Sequence, residues 1–245
     1  MTPAEAAAAV KEPILRLGEG FMLSADTRAK GRDLGLRSRP LYHLGRGGAL
    51  GDVPAEVVVA AFAFFPPAVV TAAWDQGREV MPPPAAARAY AGLCNAWGRK
   101  HLTGQPGIER AAELLERVVR YAEPAGLPLF AGWRALPLPE DLPGRLAQLL
   151  MVMREHRGAV HVAAVTAVGL GPLEAIVAGT YGAANAAFFE WPEPYPDPAP
   201  HKARWDAAED LTAVGAALPY DALSPDERIE LADLLGALHK AVLGA

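Results

Sequence analysis

"LPGRLAQLLMVMREHRGAVHVAAVTAV", Leu142 to Val168, reads as one long helix or as two helices meeting at Gly158. Apolar residues flank a dense ionisable cluster of Arg154, Glu155, His156, Arg157 and His161. No alternation of period two, the mark of a half-buried strand, appears here or elsewhere in the chain. Alanine and leucine, good helix formers, supply much of the 51% hydrophobic fraction, whereas aromatics make up only 7%. The fold expected is therefore all-α or mainly α, a multi-helix bundle.

On the N-terminal side, Ala4 to Leu23 has helical character, with Pro13 expected to kink or restart it. Ser24 or Asp26 caps a short helix ending near Gly31 or Gly35. "GRGGALG", Gly45 to Gly51, reads as a turn before a helix that Pro66-Pro67 stops or bends. "MPPPAAARAYAGLCNAWGRKHL" is a proline-led helix, and "IERAAELLERVVRYAEPAG" is the clearest amphipathic one, with Ile108, Leu115, Val118 and Val119 on one side. "LPLFAGWRALPLPEDLP" looks like a connector. Towards the C-terminus, "PLEAIVAGTYGAANAAFFEW" is helical, "PEPYPDPAP" is extended, and Ser224 starts a final helix. No internal repeat is evident. The expected division is a helical bundle domain at 1–190, a Pro-rich linker at 191–204 and a small helical segment at 205–245.

At 245 residues the chain can bury a sizeable core. The single cysteine, Cys94, excludes an internal disulfide and a thiolate zinc site and fits a reducing cytoplasm. It reads as a small buried apolar residue. "MTPAEAAAAVKEP" has no basic segment followed by a long apolar one, so no signal peptide is expected. Val57 to Trp74 is 18 residues without a charge, but Pro66-Pro67 divides it and alanine gains little from lipid, so no membrane partner is expected.

The glycines of "GRGGALG" are spaced GxGxxxG and lack a βαβ frame, which argues against a dinucleotide site. On a helix Arg154, Arg157 and His161 stand at i, i+3 and i+7 and share a face. His156 and His161 are about 140° apart at ~100° per residue, too far around a regular helix to grip one metal. No metal and no cofactor is expected. Buried charge needs partners, and ionisable groups gather at pockets, so Arg46, Arg134, Glu155, His156, Arg157 and His161 are the candidate ligand-binding residues. His43, His101, His201 and His239 read as surface or satisfied histidines.

"GRGGALGDVPAEVVVAAFAFFPPAVV", "AAELLE", "LFAGWRALPLPEDLP" and "REHRGAVHVAAV…GLGPLEAIV" together resemble an actinobacterial family of uncharacterised helix-turn-helix-like proteins. The resemblance covers roughly residues 10 to 180. It implies an all-α N-terminal part followed by a winged-helix-like, here degenerate, C-terminal segment. Relatives read "EHRGDGH" where this chain has Ala159-Val160 between Gly158 and His161. They carry asparagine at the positions of Phe64 and Trp133, and histidine where Leu15 stands. Arg46, Arg134, Glu155, His156, Arg157, His161 and Glu174 are retained. "LTAVGAAL", Leu211 to Leu218, resembles the stretch near a wing.

Net charge is −5, and from Tyr181 onward eleven acids stand against four bases, a balance of −7. That is the wrong sign for gripping phosphates, so DNA is not expected as a partner. The leading expectation is a small-molecule-binding protein whose apolar helical pocket is ringed by Arg and His, for an anionic ligand. Two alternatives stand beside it: an enzyme using Glu155, His156 or His161 as acid or base, and a one-component transcription regulator. A homodimer is left open.

Overall fold

Thr2 and Glu5 close a reciprocal capping box at the head of the first helix, α1 (Pro3–Glu19). A second box, Ser224 with Glu227, starts the last, α13 (Pro225–Leu243). Between them the computed structural model, which describes residues 1–244, places α2 (Ala25–Asp33), α3 (Ser38–Gly47), α4 (Ala55–Phe62), α5 (Pro67–Arg78) and α6 (Pro83–Leu102). There follow α7 (Ile108–Tyr121), α8 (Pro128–Ala135), α9 (Leu142–Ala167), α10 (Pro172–Ala178), α11 (Gly182–Phe188) and α12 (Lys202–Ala217). No strand occurs among the described residues, so the fold is all-α.

The organising element is α9. At 1.5 Å per residue its 26 residues span about 39 Å, and Gly158 does not interrupt it. From Leu146 to Met153 every side chain is buried, because α1, α6, α7, α8 and α12 pack around it. Trp74, Trp133, Tyr90, Phe21 and Phe130 are the largest fully buried side chains of the surrounding core. α13 lies against α1 and α7, and its Leu231, Leu235 and Leu238 join that same core.

Several local expectations are revised. Pro13 lies inside α1 and is buried, and the helix runs on through it. Gly45 and Gly47 belong to α3 and not to a turn: a Cβ on Gly45 would sit 2.7 Å from the Tyr90 ring of α6, and one on Gly47 would meet Val58, Phe62 and Trp74 of α4 and α5 at 3.1–3.2 Å, so the glycines let α3 lie close to its neighbours. The connector from Leu127 contains α8, which buries Phe130 and Trp133. "LTAVGAAL" lies largely within α12, so the described residues contain no wing. No single helix is long and apolar enough to cross a membrane; α9 and α10 meet such a test only as a pair bent by 105°.

Candidate functional site

Helix α2 is capped by Ser24, whose Oγ accepts from the Thr27 N–H at 3.1 Å. It ends on Gly35, whose φ of +77° is the left-handed conformation glycine adopts without steric cost. The Gly35 N–H donates to the Arg32 carbonyl at 3.0 Å, and that of Leu36 to Gly31 at 2.8 Å, the double closure that reverses the chain after a helix. Leu36 and Leu41 are buried beneath the turn. A Cβ on Gly31 would lie 2.5 Å from Leu41 Cδ2, so α2 and α3 touch where a side chain would hold them apart. Helices α2 and α3 are thus joined by a short glycine-containing turn, residues 34–37.

The outer surface of this helix pair is basic. Arg28, Lys30, Arg32, Arg37 and Arg39 are all exposed, and residues 24–40 carry five bases against Asp26 and Asp33, a net of +3. Arg37 and Arg39 sit at the start of α3, where the helix dipole adds partial positive charge. Arg39 pairs with Glu190, a residue held at φ +69° after α11. The rest of α3 faces inward. His43 stacks on Phe62 at 5.1 Å and meets Phe65 edge-on at 4.9 Å, and Phe65 in turn meets Phe189 at 4.7 Å.

Two other pairs of consecutive helices joined by short turns lack this charge. α9 and α10 meet at 105° across Gly169 (φ +69°), but Ala175 to Ala178 are buried and Glu174 is the only charged residue of α10. α4 and α5 meet at Ala63, and on α5 Asp75 cancels Arg78.

The six residues singled out from sequence fall into separate groups. Glu155 is 1% exposed, and both its oxygens accept from Arg46, from Nε at 2.7 Å and from Nη2 at 2.8 Å. Arg46 also donates to the Tyr42 hydroxyl at 3.0 Å and lies 4.5 Å over the Phe62 ring. Arg154 approaches the same carboxylate at 3.5 Å. Both carboxylate oxygens of Glu155 are thus taken up by Arg46.

Arg134 lies elsewhere, donating to the Ala122 carbonyl at 2.6 Å and stacking on Phe130. His156 packs edge-on against that ring at 4.9 Å, and burial together with the nearby Arg134 lowers its pKa to about 4. Arg157 donates to Glu209 at 3.1 Å. The Thr212 hydroxyl donates to the Ala208 carbonyl, so at the 3.0 Å contact between His161 Nδ1 and that hydroxyl the histidine donates. Arg46 and Glu155 thus form one unit, while His156 and Arg157 line a cleft shared with Lys11 and Glu209. Among the described residues no group of three or more His, Cys, Asp or Glu side chains is placed to hold a metal.

Sequence reading found the Ser24-capped α2 but missed α3 and its packing on α2, as well as Lys11, Glu209 and Thr212, which lie far along the chain from α9. The signal for that packing was there: Gly31, then Gly35-Leu36, Leu41 and Leu44, with small residues where helices touch and leucines beneath the turn.

A family profile described as a helix-turn-helix family matches residues 4–204. The chain belongs to that family. No curated protein and no solved structure gives a significant match. Membership of a helix-turn-helix family overturns the expectation that DNA is not a partner, since in such units the second helix enters the major groove. The expectation failed because charge was summed over the chain and its acidic C-terminal part. The surface of α2, the turn and the start of α3, residues 24–40, has the opposite sign.

Proposed function

We propose that this helix-turn-helix protein is a cytoplasmic DNA-binding transcription regulator that docks duplex DNA with α2, the Gly35 turn and the first turn of α3. The observation that carries the reading is the coincidence of the α2–α3 geometry with five exposed bases on it. Recognition helices contact base edges with their N-terminal residues while the preceding helix crosses the backbone. Arg37 and Arg39 are then the base-reading side chains, and Arg28, Lys30 and Arg32 the phosphate contacts. The covered remainder of α3 anchors the unit to the bundle through Leu41 and Leu44.

Selection from randomised duplexes, followed by fluorescence anisotropy at several salt concentrations, tests this. An enriched motif is expected. Arg37→Ala should cost about 1–3 kcal/mol in binding and relax preference at one position, and Arg32→Gln should weaken all sequences alike and lower the salt slope by about 1. Arg120→Gln, on the far surface helix α7, should bind like the parent. No enrichment, or equal affinity of the Arg37 and Arg120 variants, sinks the reading.

A further inference from the structure

Between α1, α9 and α12 lies a cleft of about 290 Å³, at the small end of the range for small-molecule sites. Ile14, Met153, Val214 and Tyr220 make much of it apolar. Its charges do not balance. Glu209 Oε2 accepts from both Lys11, at 3.3 Å, and Arg157, at 3.1 Å, so two cations share one carboxylate. Although burial opposes it, Arg157, His161 and Lys11 hold the Glu209 carboxyl below its usual range, which keeps it ionised at neutral pH. One positive charge is left over. His156, 3% exposed, also lines the cleft, and its buried Nδ1 has no hydrogen-bond partner within the protein. Such a nitrogen is costly to leave unpaired.

We infer that this cleft binds a small monocarboxylate with an apolar body, its carboxylate meeting Arg157 and Lys11 and its hydrocarbon lying on Ile14, Met153 and Val214. A single surplus charge matches a monoanion and not a phosphate ester, whose second charge would go unmet. His156, neutral at pH 7, adds no charge to the cleft. The arginine offers the forked donor geometry that suits a carboxylate. The site is independent of the DNA-binding reading, because none of these residues lies on α2 or α3.

The test is calorimetric titration of the full chain, without DNA, using sodium octanoate, octylamine and 1-octanol as probes. Octanoate should bind saturably at one site, octanol at least about tenfold more weakly, and octylamine not at all. Arg157→Met and Lys11→Met should each lower octanoate affinity about tenfold, the scale of one charge-assisted hydrogen bond. Ala7→Phe, which fills the cleft from α1 and leaves every charge in place, should abolish binding while melting close to the parent. No saturable octanoate binding, equal binding of the amine, or parental affinity in the folded Ala7→Phe variant would overturn the inference.

Discussion

Glu155 and Arg46 are 109 residues apart in sequence and meet as a two-bond ion pair inside the bundle, with side chains 1% and 12% exposed. Removing one member of a buried pair leaves the other charge uncompensated, at a cost of about 3–5 kcal/mol. Glu155→Gln should therefore lower the melting temperature markedly. Glu109→Gln, exposed on α7, should stay within about 0.5 kcal/mol of the parent. Equal melting of the two variants would contradict the buried-pair reading. The need for a partner was legible in the sequence, because a carboxylate set among Met151, Val152 and Met153 on a buried helix cannot stand alone. The identity of the partner was not fixed, since Arg46 and Arg134 both stood among the candidate residues. Choosing between them requires knowing that Gly45 and Gly47 let α3 lie flat on the bundle, which is a property of packing and not of spacing.

At the scale of the element, the turn between α2 and α3 depends on Gly35. An alanine at φ +77° brings its Cβ against the carbonyl, at a cost of roughly 1–2 kcal/mol. Gly35→Ala should lower thermal stability by that amount and, by shifting α3 against α2, weaken DNA binding beyond the stability loss. A variant that melts and binds like the parent would show that the turn does not position Arg37 and Arg39. Some elements were readable in advance, by an end signal at Ser224 before Pro225, by the apolar stripe of α7, and by the apolar stretches of α9, read as one helix or two. α3 was not. Its first turn follows a proline-flanked basic stretch and its last is rich in glycine, both of which resemble a loop by composition. The glycines are there because α6 presses against Gly45 and α4 and α5 against Gly47, and sequence does not display those contacts.

For the molecule as a whole, three histidines end up inside, and two of them share one consequence. Burial lowers the pKa of His43 to about 4, where the Arg39 carbonyl partly offsets it, and lowers that of His156 similarly. An unfolded histidine titrates near 6.5, so between about pH 6.5 and 4 the unfolded chain binds more protons than the folded one. The stability is fully present above 6.5 and declines as pH falls towards 4, by at most about 3 kcal/mol per histidine. Melting temperature should fall across pH 6.5 to 4.5, before the ion-paired carboxylates of Glu116 and Glu227 titrate. His43→Phe, which keeps the stack on Phe62, should flatten that fall; a parent that melts identically at pH 6.5 and 4.5 would refute the assignment. His43 looked like a surface or satisfied residue in sequence, and its burial follows from the Phe62 and Phe65 rings that α4 and its following turn lay over it.

The pairing of Arg39 with Glu190 bears on how ionic strength would act on DNA binding. A phosphate or base that takes Arg39 has first to displace a carboxylate the protein already holds there. Added salt weakens the contacts made to DNA and also screens the internal pair that competes with them. The two effects oppose one another. A double-logarithmic plot of affinity against salt would then slope less steeply than the number of bases touching DNA implies, and counting phosphates from that slope would leave Arg39 out.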